Sequence, residues 1–544
     1  MSLHEKALRV TEMAHSAFTA KGDLNQLWQN IADLHMPEQA DFTVKRDPHQ
    51  FGAELYDCEP ARQRRDFCNW IGSVLRPKGR EWFRGRFREP ELNDEHEIME
   101  FLQMQDKRHR MILYDDRAGG IQQWSKADHD YGTFGNSVTY VDKNTMNSGF
   151  LFRTCHLRDS AWMDNQDGDV DTMFRKLNLK VKQVVGNQRK RNWTVPKQII
   201  DLMDKEPNKE ISIIHVQLPS DHYHWGDKPK HKDRDFVNLY IAPEFKAVLW
   251  EDEIHTFQYH VSRWYRLSGS PYALSPCSML SQPDAQSLQR IAWSIMQAGE
   301  LAVEPPLIGQ SEVVLSPVNL FAAGVTWVDK AYDERMGQAL RPVELGRVPD
   351  IGVALMQGLK EAMGSTWYLN KLMLPQVSKE MTATEVERRY EEFLRATQPI
   401  IEPAEPERNG KMLQITHQMA WRAGWMGSEM PEQIEGKEIE WSYDNPIEDA
   451  RKKATVTTFQ SMLETTMAAM QLDPALPVQL DMKTAYRETI SAIAPAEWMH
   501  EEDSDEIKEA EKAAEEQAQN QQAMAEVGQG MEIAKTANDA GLLQ

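Results

Sequence analysis

Two helical stretches bracket a segment that does not read as helix, and this order constrains the fold more than any single motif. In SMLSQPDAQSLQRIAWSIMQAGELAVEPP, residues 278–306, Leu288, Ile291, Ile295 and Ala302 keep one face apolar at helical spacing. Pro283 suits a first helical turn, and Pro305 with Pro306 ends the run. Residues 311–350 are loop-rich with short extended pieces, and helix resumes at IGVALMQGLKEAMGSTWYLNKL, residues 351–372. The insert is thus a head on a two-helix stalk. Upstream the period changes. LWQNIADLHMP places Leu27, Ile31 and Leu34 on one helical face, and EIMEFLQMQDKRHRMILYDD is a second amphipathic helix. From about residue 134 the chain alternates as strands do, in NSVTYVD, FLFRTCHL, TMFRKLNLKVKQVV, ISIIHVQLP, FVNLYIAPE and FQYHVSRWYRL. Helix followed by sheet followed by helix predicts an α+β chain, mainly helical.

Downstream of the stalk, Thr382 and Glu385 form a capping box that opens a helix, with Val386, Tyr390, Phe393 and Leu394 on its buried face. Met373 to Met381 must then be a loop between helices. The last hundred residues read as helix, and between Glu501 and Asn520 nine acids face two lysines, the pattern of a solvated helix face or a frayed tail.

Charge narrows the function. The chain has 544 residues, 62 Lys and Arg against 84 Asp and Glu, and a net charge of −22. A protein that coats nucleic acid needs a large cationic face, which would move this total the other way. Against that background RPKGREWFRGRFR, Arg76 to Arg88, stands out, with six basic and three aromatic residues in thirteen. Alone it suggests cations for phosphates and rings for stacking. Cys58, Cys68, Cys155 and Cys277 lie far apart without a CxxC pair, as buried thiols of a reducing compartment do. The start, MSLHEKALRV, lacks an apolar core of signal-peptide length, and no run of about twenty apolar residues could span a membrane. This predicts a product assembled in the cytoplasm.

Catalytic signatures are missing. There is no GxxxxGK[ST] loop, no GxSxG elbow and no HExxH pair, and GTFG and GQG do not complete a dinucleotide fingerprint. No catalytic, cofactor or metal-binding residues are assigned, and no enzyme activity is expected. DNQDGDVD, Asp164 to Asp171, is the best cation candidate, but Gln166 and Gly168 stand where a calcium loop needs other residues, and a hairpin turn explains Asp-Gly directly. The rival readings are a DNA-processing enzyme, either a metal-dependent nuclease or a motor subunit, and a different structural ring such as a tail adaptor or scaffold.

An ordered set of stretches resembles the head-to-tail connecting, or portal, proteins of short-tailed phages (podoviruses). These are LWQNIADLHMP, VLRPKGREWFRGRF, DYGTFGNSVTYVD, FRTCHLRDSAWMDNQDGDVDTMFRKLNLKVKQ, IIHVQLP, RWYRLSGSPYALSPCSMLSQPDAQSLQRI, PPL at 305–307 and MTATEVERR at 381–389. They run in the family's order from about 25 to 500. The chain departs at Ala273, where a glycine is usual, and at Pro403 and Pro406, in a segment the family often keeps helical.

The resemblance implies a portal fold in a cyclic ring, commonly of twelve subunits, at one capsid vertex in the virion. It implies a wing at 1–277, stem helices at 278–310 and 351–372 and a clip at 311–350. A tunnel loop at 373–381, wing or channel helices at 382–445 and a C-terminal helical crown or barrel at 446–544 complete the set. Implied partners are the major capsid protein, scaffolding protein, terminase, tail adaptor or nozzle proteins, and double-stranded DNA passing through. In the tunnel loop Gln376, Ser378, Lys379 and Glu380 are the residues expected to face DNA, Lys379 first among them. In a ring each subunit offers two different faces to its neighbours, and an acidic chain needs cations there. Arg80, Arg84, Arg86 and Arg88 are therefore expected at a subunit contact.

Overall fold

Gly135 marks the point where the chain turns from helix to sheet. Its φ is +74°, and a Cβ there would lie 2.1 Å from the Leu274 carbonyl carbon, so only glycine fits. It ends the helix Gly120–Phe134 and leads into the strand Asn136–Lys143. Gly132, one turn earlier, is needed for packing, since a Cβ would meet the Cys68 sulfur at 2.5 Å. In the computed structural model, the residues described are 3–77, 81–303, 307–309, 340–342, 350–372, 383–443 and short helical pieces between 456 and 513, with brief omissions at 48–49, 53–54, 94, 145, 225–233, 428–429 and 435. They form two compact units, one of residues 1–80 and 110–426, the other of 81–109 and 427–544.

In the larger unit, Asn136–Lys143 is the middle strand of an antiparallel three-stranded sheet, between Phe150–Cys155 and Tyr259–Arg263. A five-stranded antiparallel meander runs Ser160–Asp164, Val170–Lys180, Glu210–Pro219, Phe236–Ala242 and Ala247–Ile254 in spatial order. Both of its faces are covered, which is why ISIIHVQLP is nearly all buried. Ile214, Val216 and Leu218 point to one face, where the helix Leu3–Ala20 lays down Ala7, Val10, Ala14 and Ala17. Those small side chains let the helix sit close. Ile211 and Ile213 point the other way, into a core with Val181, Val184, Trp193 and Ile199. That core belongs to two helices, Val181–Lys190 and Lys197–Lys205, inserted between the second and third strands. The strand pattern read through KVKQVV is therefore corrected: the strand stops at Lys180, whose N–H donates to the Gln183 side chain at 2.9 Å, and Val181 and Val184 bury one helical face.

The long helix begins at Pro276 and runs to Val303, so Pro283 lies inside it and not in its first turn. The chain is held from its true start. Ser275 Oγ donates to the Gly132 carbonyl at 2.6 Å, and Ser278 Oγ to the Thr133 carbonyl at 2.5 Å. Asn136 Nδ2 donates to the Ala273 carbonyl at 2.6 Å, and Ala273 N–H returns a bond to Asn136 Oδ1 at 2.9 Å. Ala273 lies in a short strand without positive φ, so alanine is accommodated. The long helix pairs with Asp350–Thr366 through Ala285, Leu288 and Met363. The second stalk helix is not one piece to residue 372. It stops at Thr366, Tyr368 takes φ +56°, and a separate turn covers Leu369–Leu372. The break seats buried Trp367 against the rings of His35 and Phe67, each 5.5 Å away. Leu307–Gly309, ahead of the insert and expected as part of the first stem helix, is a strand that pairs with Leu340–Pro342 within the insert. Of the expected buried face at 382–394 only the side chain of Phe393 is described, and it is half-buried.

The smaller unit contains a strand absent from the sequence reading, Glu440–Tyr443, paired antiparallel with Phe83–Arg86. The helix His96–Leu113 begins in it. Three of the four cysteines are buried as expected, but Cys58 is exposed at the N-cap of the helix Glu59–Leu75.

Candidate functional site

The basic, aromatic stretch divides by strand alternation. Trp82, Phe83 and Phe87 are 1%, 0% and 3% exposed, so none offers a face for a nucleotide base. Phe83 meets Trp82, His109 and Trp441 edge-on, with ring centroids 4.6, 5.4 and 5.5 Å away. Gly85 lets the strand approach the helix beneath it: its N–H donates to both oxygens of Asp106, at 3.1 and 2.9 Å. Arg84, Arg86 and Arg88 take the outward positions and are exposed. Arg80 lies outside the described residues. Arg76, at the other end of the stretch, is buried in a separate cluster.

That cluster is the most connected polar feature described, and sequence reasoning missed it. Asp128, on the helix Gly120–Phe134, lies between two buried arginines. Its Oδ2 accepts from Arg76, and its Oδ1 accepts from Arg408 Nε at 3.1 Å and Nη2 at 2.5 Å. Arg408 Nη1 also donates to Ser137 Oγ at 3.2 Å and Ser262 Oγ at 3.1 Å. Arg76 donates to Asn409 Oδ1 at 2.8 Å, and Asn409 donates to the Leu75 carbonyl at 3.0 Å. Burial drives the Asp128 carboxyl upward, but the two guanidiniums outweigh it and hold the acid below the ordinary range.

The backbone that delivers Arg408 is unusual. The helix Ala383–Ala404 carries Pro399 and Pro403 within it, and a π-helical turn, Glu405–Gly410, joins it to the helix Lys411–Arg422. The prolines do not end the helix. The turn widens, with Lys411 N–H reaching the Pro406 carbonyl five residues back. Glu407 then faces Arg266 and Lys411, while Arg408 and Asn409 point inward. Pro403 and Pro406 were the available signal, read in sequence only as an interruption.

Asp164 to Asp171 is a hairpin turn. Asn165 Oδ1 accepts the N–H groups of Asp167 and Asp169 at 3.0 and 2.9 Å, and Gly168 takes φ +81°. The Gly168 carbonyl accepts from Arg263 and from Arg266, and Lys411 bridges Asp169 to Glu407, at 3.1 Å from each. Arginines and a lysine thus surround the acids of this turn, which joins the same polar system as the π turn. Among the described residues no group of three or more His, Cys, Asp or Glu converges as metal ligands would. The loop with Gln376, Ser378, Lys379 and Glu380 lies outside the described residues, as does Thr382; the helix is described from Ala383, immediately after that cap position, without the Glu385 side chain.

In these clusters ions and rings join segments of backbone that are distant in sequence. The chain belongs to the bacteriophage head to tail connecting proteins, whose family model matches residues 10–497. That span includes the basic stretch, the acidic turn, the π turn and residues 373–381. The chain is also similar to a "probable portal protein" of Bordetella phage BPP-1, with 21% identity over 434 residues, covering 78% of this chain and 76% of that protein. No helix among the described residues is long and apolar enough to cross a membrane.

Proposed function

We propose that this connector works as a portal: a closed ring, of about twelve copies, through which double-stranded DNA enters and leaves the capsid of a short-tailed phage. Family membership supports the connector role. The observation that carries the ring is the apolar surface of the paired stalk helices. After Ala292 no described residue of the long helix is buried, yet Trp293, Met296, Leu301 and Val303 are 44 to 82% exposed, and Val353 and Leu355 on the paired helix are more than half exposed. Apolar side chains in this number along one helix pair need a cover, and a second copy of the same pair supplies it.

In this reading residues 1–277 with 382–445 form the wing, 278–310 and 351–372 the stem, 311–350 the clip, 373–381 the tunnel loop and 446–544 the crown. Capsid and scaffolding proteins meet the ring at the vertex; terminase and then the tail adaptor dock at the clip. The net charge of −22 per copy suits a conduit. A lumen that neutralises many phosphates would grip the duplex and stall threading, whereas an acidic wall repels it over a Debye length of roughly 8 Å. Lys379 is the weak phosphate contact at the constriction, and Arg84, Arg86 and Arg88 are cations that let acidic subunits close. The chain makes and breaks no covalent bond. Native mass measurement tests the ring: a particle of about twelve times 62.7 kDa is expected, and a stable monomer would sink the reading.

A further inference from the structure

Between residues 172 and 200 the chain carries eight Lys or Arg and no Asp or Glu, in a protein with 22 more acids than bases. The fold gathers half of that charge in one place. Lys182, Arg189 and Lys190 lie on the helix Val181–Lys190, all three exposed. Lys182 and Arg189 are seven residues apart, two turns along one helical face. Arg191 follows at the C-cap and is exposed too, within electrostatic range of the Asp142 carboxyl. Among the described residues, Lys182, Arg189 and Lys190 have no ion-pair partner. The helix is anchored from beneath by Val181 and Val184, both fully buried, so its outer face is free of a packing role. Lys176 does not join this face: it lies on the other side of the sheet, with its ammonium 3.9 Å from the Phe18 ring.

We infer that the outer face of this helix binds the phosphate backbone of duplex DNA, without sequence preference, at a site separate from residues 373–381. The chemistry of the face selects the partner. A docked protein would need an apolar centre, and here the exposed side chains are Lys, Arg, Gln and Asn. Unpaired bases would need rings to stack on, and Trp193, the nearest ring in sequence, is 3% exposed. A row of cations interleaved with amide donors suits phosphate oxygens. From Lys182 to Lys190 the helix rises ~12 Å, a length over which a duplex presents about seven charges. The acid excess elsewhere is screened beyond roughly 8 Å at physiological salt, so the local cations decide the contact. The identity of the polyanion rests on the portal reading; the surface itself does not.

The test uses the full chain and a labelled duplex of about 30 base pairs of arbitrary sequence, titrated by fluorescence anisotropy at several salt concentrations. K182Q/R189Q/K190Q replaces the cations with good helix formers. The expected result is at least a tenfold loss of affinity and a fall of about 2 to 3 in the slope of log affinity against log salt. K182R/R189K/K190R should restore both, and K205Q/K209Q, on exposed lysines further along, should leave both unchanged. Unaltered affinity and slope in the glutamine variant would overturn the inference. So would equal losses in the two glutamine variants, or a loss of poly-glutamate binding with DNA binding intact. Native mass on the same samples keeps the questions apart: a wrong copy number with the expected DNA response refutes the ring and leaves this surface standing.

Discussion

Asp128→Asn is the most informative single change. The wild-type carboxylate accepts three charge-assisted hydrogen bonds from two arginines whose side chains are 6% and 2% exposed, and it is itself 3% exposed. Asparagine keeps the volume but removes the carboxylate bonded to both guanidiniums, and its amide offers N–H groups where an acceptor is required. Removing one member of a buried ionic cluster costs about 3–5 kcal/mol, because the remaining charge stays buried without compensation. Since 1.36 kcal/mol is a factor of ten, protection of nearby amides should fall by ~10²–10⁴. Hydrogen exchange with mass spectrometry on peptides covering 124–137, 259–263 and 405–411 reads this locally and in the assembled protein. Acid adds a sign. The folded-state value of Asp128 lies below its unfolded value of 3.8, so its contribution is complete above that value and is lost as pH falls through the folded value. The wild type should therefore lose protection in these peptides below about pH 4 and the variant should not. R76M/D128L/R408M, which removes all the charge and refills the volume, should recover most of the loss. Exchange within about threefold of wild type in D128N would refute the claim that this cluster holds the π turn to the sheet.

Asp130→Asn should act in the opposite direction. Asp130 is 1% exposed, and burial raises its acid to about 6 despite His156, Lys126 and Arg64, so the penalty grows as pH rises from the unfolded 3.8 through 6; the variant should gain about 3 kcal/mol at pH 8 in urea unfolding and lose this pH dependence. Gly135→Ala should abolish soluble protein, whereas Gly119→Ala, with φ +64° but open space around it, should cost about 1 kcal/mol by thermal unfolding. Lys21→Met should destabilise by about 2–3 kcal/mol, since Lys21 Nζ donates to the carbonyls of Leu157, Arg158 and Ser160 at 2.6, 3.1 and 2.5 Å and methionine would take that donor from all three, leaving Leu157 the Ser160 N–H. Arg84→Glu with Arg86→Glu should impair ring assembly, read by native mass, more than DNA affinity; intact rings that package poorly would count against the interface role.

Much of this protein was determined locally. The helix-to-strand change at Gly135 was legible because φ +74° is a property of one residue and its neighbours, and the acidic hairpin was legible because Asp-Gly supplies its own turn. The stalk helices were legible as period, though Pro283 drew attention from a start at Pro276 that only contacts with Gly132 and Thr133 establish. The tertiary structure decided what local rules leave degenerate. An arginine in sequence is equally a surface cation or a buried ion, and Arg76 went inside while Arg84 stayed out because Asp128 and Asn409, 52 and 333 residues away, supply acceptors for Arg76. Two prolines in a helix permit a stop or a wider turn, and the wider turn was selected by the bonds that Arg408 makes once it points inward. Period and turn chemistry are encoded within a few residues, but the fate of a charge depends on which acceptor the fold brings to it, and that acceptor can come from anywhere in the chain.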